Sequence, residues 1–301
     1  DFMKVIDLTP RGFCHGVENA INIVKRVVND HKYPRPIYIL GQIVHNKNVT
    51  AYFREHGVIS LDEPNTLRAD LLDKITSGTV IFTAHGISPN VVIRAKEKGL
   101  TVINATCSDV LKVHKIIRKK LKEGYQIIYI GKKNHPEPEA ILDLDPSIKL
   151  VTNIKDILLL ENFDKDVFVT NQTTLSRYDI DEMLTYLKEK YPKLEFSNEI
   201  CDATTLRQEA VINQGLVDLT LVVGDKLSSN SNKLVEVSKN KAYLIEGIHD
   251  IKDEWLENIN TISVTSGAST PASITNEVLE FLKTYSKDKE KKSKIKYDSI
   301  L

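Results

Sequence analysis

The feature that most constrains the fold is an internal repeat that contains the chain's three cysteines. The spacing is 93 residues from Cys14 to Cys107 and 94 from Cys107 to Cys201. A short strand-like run precedes each cysteine, at residues 3–8, 100–104 and 194–196, and a helical pattern follows each, at 17–28, 110–122 and 206–214. The sequence therefore predicts that each cysteine lies at a turn from a strand to a helix.

The rest of each repeat also recurs. An apolar strand (36–40, 126–130 and 219–223) ends in a polar tip, by which we mean the polar residues that directly follow a strand: 45–46, 134–137 and 228–232. A later strand (79–83, 166–170 and 261–265) ends in a second tip, at 84–86, 171–174 and 266–269. A helical pattern follows each second tip, at 89–98, 179–190 and 271–282. The order of elements is thus predicted to be the same three times.

Alternating strands and helices predict an α/β fold with mainly parallel sheets. We expect three similar α/β domains, at 1–101 (with the N-terminal strand), 102–195 and 196–283, and a lysine-rich C-terminal tail at 284–301 that is disordered or forms a solvated helix end. Ligands bind beyond the carboxyl ends of parallel strands. In a pseudo-threefold trefoil, three cysteines and six tips would face one central cavity. The alternative, three α/β domains in a line, leaves the recurring cysteine unexplained.

Composition excludes several classes of protein. The 41 basic and 41 acidic residues give no excess charge for nucleic acid. The chain has no apolar run of about 18 residues, which is the length that would predict a membrane span. Three cysteines with no CxxC pair do not fit a disulfide framework, a zinc ribbon or a thioredoxin-like motif, and favour a reducing compartment. We expect a plastid-type organelle, with a transit peptide removed before Asp1, or a bacterial cytoplasm, and not secretion.

Three converging thiolates, each at a helix N-terminus that favours an anionic ligand atom, indicate a metal site. Zinc with three cysteines usually takes a histidine, for which His15 is a candidate. An iron–sulfur cube needs four ligands, so three cysteines would leave one iron open. An open iron can bind a substrate oxygen as a Lewis acid while the cluster delivers electrons.

The tips consist mainly of neutral or weakly basic hydrogen-bond donors, which suit phosphate oxygens. These donors are His45, His85, His135, Ser228, Ser229, Asn230 and Ser269. Glu137 is the one clear acid among the predicted tip residues and is a candidate proton source, with Thr173 as a relay. Ser and Asn clusters also often only cap helices. His31, His56, His114 and His249 are predicted to lie away from the tips and to be structural, and His15 stays open.

Ordered motifs over residues 10 to 275 carry a resemblance to a known family. They are Pro10-Arg-Gly-Phe-Cys14-His-Gly-Val, Ile43-Val-His45-Asn46, Ala84-His85-Gly86, Asn104-Ala-Thr-Cys107, His135-Pro-Glu137, Gln172-Thr173-Thr174-Leu175-Ser176, Ile200-Cys201-Asp-Ala-Thr-Thr-Leu206-Arg207, Ser228-Ser-Asn-Ser-Asn232 and Gly267-Ala-Ser269. On these residues the chain resembles the 4-hydroxy-3-methylbut-2-enyl diphosphate reductases, which catalyse the last step of the non-mevalonate isoprenoid pathway.

The resemblance implies a trefoil of three α/β domains and one [4Fe-4S] cluster with an open iron, bound by Cys14, Cys107 and Cys201. It implies that the diphosphate is bound by His45, His85, His135, Thr173, Ser228, Ser229, Asn230 and Ser269. Glu137 and Thr173, with His135, would serve proton transfer. The implied reaction reduces the allylic alcohol diphosphate to isopentenyl and dimethylallyl diphosphate with two electrons and releases water. The implied electron donor is ferredoxin or flavodoxin, and we expect no nucleic-acid or membrane partner.

Two rival functions remain open at this stage. An aconitase-like dehydratase also needs an open iron but takes no external electrons. A non-enzymatic sensor would use a cluster or a zinc ion only to hold three domains together. Turnover without a reductant would favour the dehydratase, and failure to bind or convert a diphosphate would favour the sensor.

Overall fold

The computed structural model describes residues 3–301, which form twelve β-strands and eleven α-helices. The strands are β1 Lys4–Asp7, β2 Ile37–Leu40, β3 Val58–Leu61, β4 Thr79–Phe82, β5 Thr101–Asn104, β6 Gln126–Ile130, β7 Lys149–Val151, β8 Val167–Asn171, β9 Glu195–Phe196, β10 Leu219–Val223, β11 Ala242–Ile245 and β12 Thr261–Ser266. The helices are α1 His15–Asn29, α2 Lys47–Glu55, α3 Arg68–Leu72, α4 Pro89–Glu97, α5 Ser108–Lys122, α6 Pro136–Leu142, α7 Ile154–Leu158, α8 Arg177–Lys190, α9 Asp202–Asn213, α10 Ser229–Glu236 and α11 Ala272–Lys283. Within residues 3–301 no helix is both long and apolar enough to cross a membrane. Asp1, on which the expectation of transit-peptide removal depends, lies outside the described residues.

Three four-stranded sheets confirm the predicted α/β class. Their strand orders are β11-β10-β12-β1, β3-β2-β4-β5 and β7-β6-β8-β9. Every pairing is parallel. In each sheet the two central strands are those that end in the predicted polar tips. The repeat seen in the sequence is therefore a repeat of sheet topology.

The strand before each cysteine is an edge strand of the sheet whose central strands belong to the preceding repeat. For Cys14, the preceding repeat is the last one along the chain. β5 and β9 pair with β4 and β8, and β1 pairs with β12, so the start of the chain completes the last sheet. The opposite edge strand of each sheet, β3, β7 or β11, is absent from the sequence prediction. These strands are three or four residues long and partly exposed, so they lack the continuous apolar run of a central strand.

The residues fall into two compact units by their internal contacts. Unit 1 comprises the described residues up to Glu18, together with Val44–Glu55 and Asp202–Leu301, and unit 2 comprises Asn19–Ile43 and His56–Cys201. Unit 1 contains the sheet of β10, and unit 2 contains the other two sheets. The division into three domains and the trefoil arrangement stay predictions.

Each sheet is built around apolar residues that alternate between two helical layers. In unit 1, Leu221 and Val223 pack in one cluster with α11, whereas Val222 packs in another with α9 and α10. In the sheet of β6, Ile128 packs in one cluster with α7 and α8, and Tyr129 packs in another with α5 and α6. In these two sheets, helices on both faces are the reason that the central strands are buried at nearly every position, at their Thr and Ser residues as well as at their apolar ones.

The C-terminal tail is not a disordered segment, contrary to expectation. Ile295 packs against the apolar core of unit 1, and Ile300 is buried. The backbone N–H of Lys294 donates to Glu277 Oε2 at 2.8 Å, and Lys291 forms an ion pair with Asp253 at 3.0 Å. Two apolar residues, a hydrogen bond and an ion pair therefore connect the tail to this unit.

Candidate active site

The three cysteines occupy equivalent backbone positions. Each is the residue directly before a helix, α1, α5 or α9. The backbone N–H of each donates to the carbonyl of a second tip, from Cys14 to Ala268 at 3.3 Å, from Cys107 to Ala84 at 3.0 Å and from Cys201 to Thr173 at 3.1 Å. None of the three cysteines forms a disulfide within the described residues, and all three are partly exposed. The repeat thus places each sulfur at the carboxyl edge of a sheet.

The turn that carries Cys14 is held by a buried arginine. Gly12 has φ +74°, a left-handed conformation that favours glycine. Its carbonyl oxygen accepts hydrogen bonds from Arg207 Nε at 3.2 Å and from Arg207 Nη2 at 2.8 Å. Arg207 Nη2 also donates to the carbonyl of Phe13 at 3.3 Å. Arg207 lies on α9, so this helix fixes the backbone on which the Cys14 thiol depends.

The His45 turn is fixed by groups from two other tips of unit 1. Asp225 is 2% exposed, and its Oδ2 accepts a hydrogen bond from the N–H of Lys47, the first residue of α2, at 3.0 Å. Asn46 Oδ1 accepts from the N–H groups of Asn48 and Val49 and so caps the same helix. Ser269 Oγ donates to the His45 carbonyl at 2.9 Å.

The Ser228 tip combines helix capping with hydroxyl groups at a helix N-terminus. Ser228 Oγ accepts from the N–H of Ser231 at 3.2 Å as the N-cap of α10. A hydroxyl that accepts in this way still has its own hydrogen to donate. Ser229 and Asn230 are buried, and Asn230 Oδ1 accepts from the N–H of Ala268 at 2.9 Å. The expectation that such residues cap helices therefore holds for Ser228, while Asn230 and Ser269 hold other tips in place.

Unit 2 contains a buried glutamic acid, Glu137, that is hydrogen-bonded to a threonine. Glu137 is 3% exposed and is the second residue of α6. The N–H of Thr173 donates to Glu137 Oε2 at 3.0 Å, and Thr173 Oγ1 lies 2.8 Å from Oε1. Burial raises the pKa of Glu137 to about 7, against the two hydrogen bonds from Thr173, which lower it. The carboxyl group can therefore gain and lose a proton near neutral pH.

The strand register explains why Glu137 and Thr173 meet. Ile130 at the end of β6 lies opposite Asn171 at the end of β8. The two tips therefore leave the sheet side by side. Gln172 links them, because its Oε1 accepts from the N–H of Lys132 at 2.9 Å.

Two histidines lie beside this acid. His135 is buried and is the N-cap of α6, where its Nδ1 accepts from the N–H of Glu137 at 3.2 Å. An accepting Nδ1 places the ring proton on Nε2, so the neutral ring presents one donor there. The rings of His85 and His135 are 5.6 Å apart and perpendicular. Unit 2 thus groups two imidazoles and one protonatable carboxyl group.

Three residues beside these tips were not recognised, or were placed elsewhere, by the sequence analysis. Glu137 is the one acid among the predicted tip residues, but Asp225, which lies two residues after β10 and outside the predicted tip at 228–232, is buried as well. His114, predicted to lie away from the tips, contacts one of them: a Cβ added to Gly86 would lie 3.5 Å from His114 Nε2. Burial, with the nearby Arg118, lowers the pKa of His114 to about 4. Arg207 belongs to a quoted motif, but its bond to Gly12 spans 195 residues and left no signal in the sequence.

The residues present fit an iron–sulfur cluster. The donor set is three thiols outside disulfides, in one repeated backbone setting, each ahead of a helix of at least 12 residues. Thiolate sulfur is the usual protein ligand of such clusters. Three cysteines rather than four match a cluster with one iron open to a substrate.

Comparison with known proteins gives consistent results. The family model described as LytB protein matches residues 5–283. The 4-hydroxy-3-methylbut-2-enyl diphosphate reductases of Bacillus thuringiensis (strain Al Hakam) and Bacillus cereus (strain AH187) are each 52% identical over 289 residues, which cover 94% of this chain and 91% of theirs. The solved structure of the E-1-hydroxy-2-methyl-but-2-enyl-4-diphosphate reductase from Plasmodium falciparum is 37% identical, with a TM-score of 0.84, and covers 93% of this chain and 88% of that one.

Proposed function

The chain belongs to the LytB protein family, and from this premise we propose that it is an iron–sulfur reductase of 4-hydroxy-3-methylbut-2-enyl diphosphate. In the proposed reaction the carbon–oxygen bond of the allylic alcohol breaks. Two electrons and two protons enter, and water leaves together with isopentenyl or dimethylallyl diphosphate. Ferredoxin or flavodoxin is the proposed class of electron donor.

One residue, Thr173, carries the argument from the structure. Its carbonyl accepts the N–H of Cys201 at 3.1 Å, while its N–H and hydroxyl group contact the Glu137 carboxyl group. A proposed metal ligand and a proposed acid are therefore held by a single residue. A reductive removal of hydroxyl needs a source of electrons and a source of protons near one substrate, and Thr173 contacts one proposed residue of each kind.

We assign the cofactor to the three cysteines. Cys14, Cys107 and Cys201 would hold one [4Fe-4S] cluster with an open iron. When bound, the cluster supplies electrons and a Lewis-acidic iron. The protein keeps each thiol in place through its N–H bond to a tip and, for Cys14, through the contact of Arg207 with Gly12.

We assign phosphate binding to the donors of the tips. In unit 2 these are His85, His135 through its Nε2–H, and the Thr173 hydroxyl group. In unit 1 they are His45, Ser228, Ser229, Asn230 and Ser269. Imidazole, hydroxyl and amide groups can all donate hydrogen bonds to phosphate oxygens.

Glu137 is assigned as the acid. Its buried carboxyl group carries a proton at or below about pH 7, and Thr173 Oγ1, 2.8 Å away, lies in position to relay it. The proton protonates the departing hydroxyl group, which leaves as water. His135 fixes the backbone N–H of Glu137 and so orients the start of α6.

The test is anaerobic purification with iron and sulfide analysis, followed by electron paramagnetic resonance of the reduced protein with and without the hydroxylated diphosphate. We expect a cluster signal that changes when the substrate is added, and turnover that depends on a reductant. Glu137→Gln should keep iron and sulfide but lose turnover by about 100-fold or more, since general acids contribute on this scale.

Three outcomes would contradict the proposal. Zinc without iron, or a cluster signal that ignores the substrate, would indicate a structural metal. Turnover without any reductant would indicate a dehydratase. Full turnover by Glu137→Gln would remove this residue from the mechanism while leaving the reaction itself intact.

A further inference from the structure

Unit 2 carries a surface groove of about 910 Å³ between α4 and α5. Apolar side chains form much of its lining. Ile93 on α4 and Leu111 on α5 are 53% and 47% exposed. Apolar side chains grouped in the open and bordered by charges are typical of surfaces that bind another protein.

The border of the groove is basic. Lys115, Arg118 and Lys122 follow Leu111 along one face of α5 at helical spacing. Among the described residues these three form no ion pair, and the acid in the lining, Glu123, already contacts Lys119 at 3.9 Å. The chain as a whole carries no net charge, so this positive surface is local. Charge complementarity therefore favours an acidic partner.

The groove reaches the candidate site of unit 2. Its lining includes Thr106, which directly precedes Cys107. Leu111 follows Cys107 by one helical turn, about 6 Å along the axis. His114, on the groove floor, packs under the tip at Gly86, where an added Cβ would lie 3.5 Å from its Nε2. A protein seated here would lie close to a proposed cofactor ligand.

We propose that this groove docks an acidic electron-carrier protein that reduces the enzyme, an inference that depends on the function proposed above. Two reduced carriers each give up one electron per substrate molecule and are themselves oxidised. The two electrons reduce the substrate as its carbon–oxygen bond breaks, one proton leaves with the hydroxyl group as water, and a second proton forms the new carbon–hydrogen bond. The apolar floor provides the contact, and the basic border selects the carrier.

The test compares two charge-reversal variants of the cluster-loaded protein. The groove variant is Lys115→Glu with Arg118→Glu. The control is Lys155→Glu with Lys188→Glu, which changes the net charge equally at exposed residues of α7 and α8 that do not line the groove. Each is assayed with dithionite and methyl viologen, and separately with a reduced acidic ferredoxin. Binding of the ferredoxin is measured by isothermal titration at low and high salt.

We expect the groove variant to lose ferredoxin-driven kcat/KM and ferredoxin affinity by about tenfold or more at low salt, because electrostatic steering contributes on this scale. Its dithionite-driven turnover should match the wild type, and so should the control in both assays. The wild-type ferredoxin rate should fall with added salt, while that of the groove variant stays flat. Leu111→Gln, which leaves the charges intact, should weaken ferredoxin binding without changing its salt dependence.

Two results for the variants would overturn the docking site without touching the proposed function. They are unchanged ferredoxin kinetics and binding in the groove variant, or equal losses in the control. A wild type that turns over with dithionite, but neither binds the ferredoxin nor accepts electrons from it, would also overturn the docking site. Failure of the wild type to reduce the diphosphate with dithionite would instead refute the proposed function.

Discussion

Replacing Glu137 with glutamine should change how the stability of the protein depends on pH. Glu137 is buried, and burial raises its pKa from 4.5 to about 7 in the folded chain. The folded state therefore binds more protons than the unfolded state between these two pH values, so the free energy of unfolding falls as pH rises through this window. At 1.36 kcal/mol per pKa unit, the wild type should lose about 3 kcal/mol between pH 4.5 and pH 8 through this one group.

The glutamine variant should not show this fall in the free energy of unfolding with pH. Its amide resembles the protonated acid, because one oxygen can accept the Thr173 N–H while the NH₂ group donates to the Thr173 hydroxyl oxygen. We therefore expect Glu137→Gln to match the wild type near pH 5 and to be more stable by up to about 3 kcal/mol at pH 8. Every other titrating group is common to both chains and cancels in the difference.

The assay is urea unfolding of the two iron-free proteins at pH 5 and pH 8, with Glu189→Gln at an exposed position of α8 as the control. The free energy of unfolding of this control should differ from that of the wild type by the same amount at pH 5 and at pH 8. Infrared spectroscopy gives a direct second readout, since the stretch of the protonated Glu137 carboxyl group should disappear as pH rises through about 7. Equal stability differences at both pH values, with Glu137 already ionised at pH 5, would refute the reasoning.

Two further predictions concern the contacts of the tips. Thr173→Val removes the hydroxyl hydrogen bond that lowers the pKa of Glu137, so the alkaline limb of the pH–rate profile should move to higher pH. Thr173→Ser should restore the position of this limb. A limb that does not move in Thr173→Val would show that Thr173 does not set the pKa of the acid. Asp225→Ala leaves the N–H of Lys47 without its carboxylate acceptor and should lower the free energy of unfolding by about 1–3 kcal/mol in urea melts. Asp225→Asn should show a smaller loss. An unchanged unfolding midpoint in both variants would show that Asp225 does not stabilise the start of α2.

The central strands were predictable because they are buried on both faces. The boundaries of β6 and β10 agree with the predicted runs at 126–130 and 219–223. The edge strands β3, β7 and β11 were not predicted, because partial exposure removes both the continuous apolar run and a strict alternation. In β11, three of the four residues are only partly buried, and β7 is three residues long. Only the pairing partner, which is distant in sequence, identifies such segments as strands.

The site was predictable where chemistry repeats and not where a contact is long-range. The cysteines and the polar tips recur at regular intervals, so their position at strand ends could be inferred. Arg207 and Asp225 act through backbone atoms 195 and 178 residues away. Nothing local distinguishes them from a solvated helical arginine or a turn aspartate. Their roles follow from the folded topology, which brings three tips of unit 1 together.

The environment of Glu137 sets the kind of proton chemistry that the site supports. A glutamic acid buried without donors can have a pKa of about 8–9 and would give up its proton poorly at neutral pH. The two hydrogen bonds from Thr173 act in the opposite direction and bring the pKa to about 7. Because Thr173 is fixed by its bond to Cys201, any movement of that cysteine would also change the support of the carboxylate. The acidity of Glu137 is therefore coupled to the position of a proposed metal ligand through one residue.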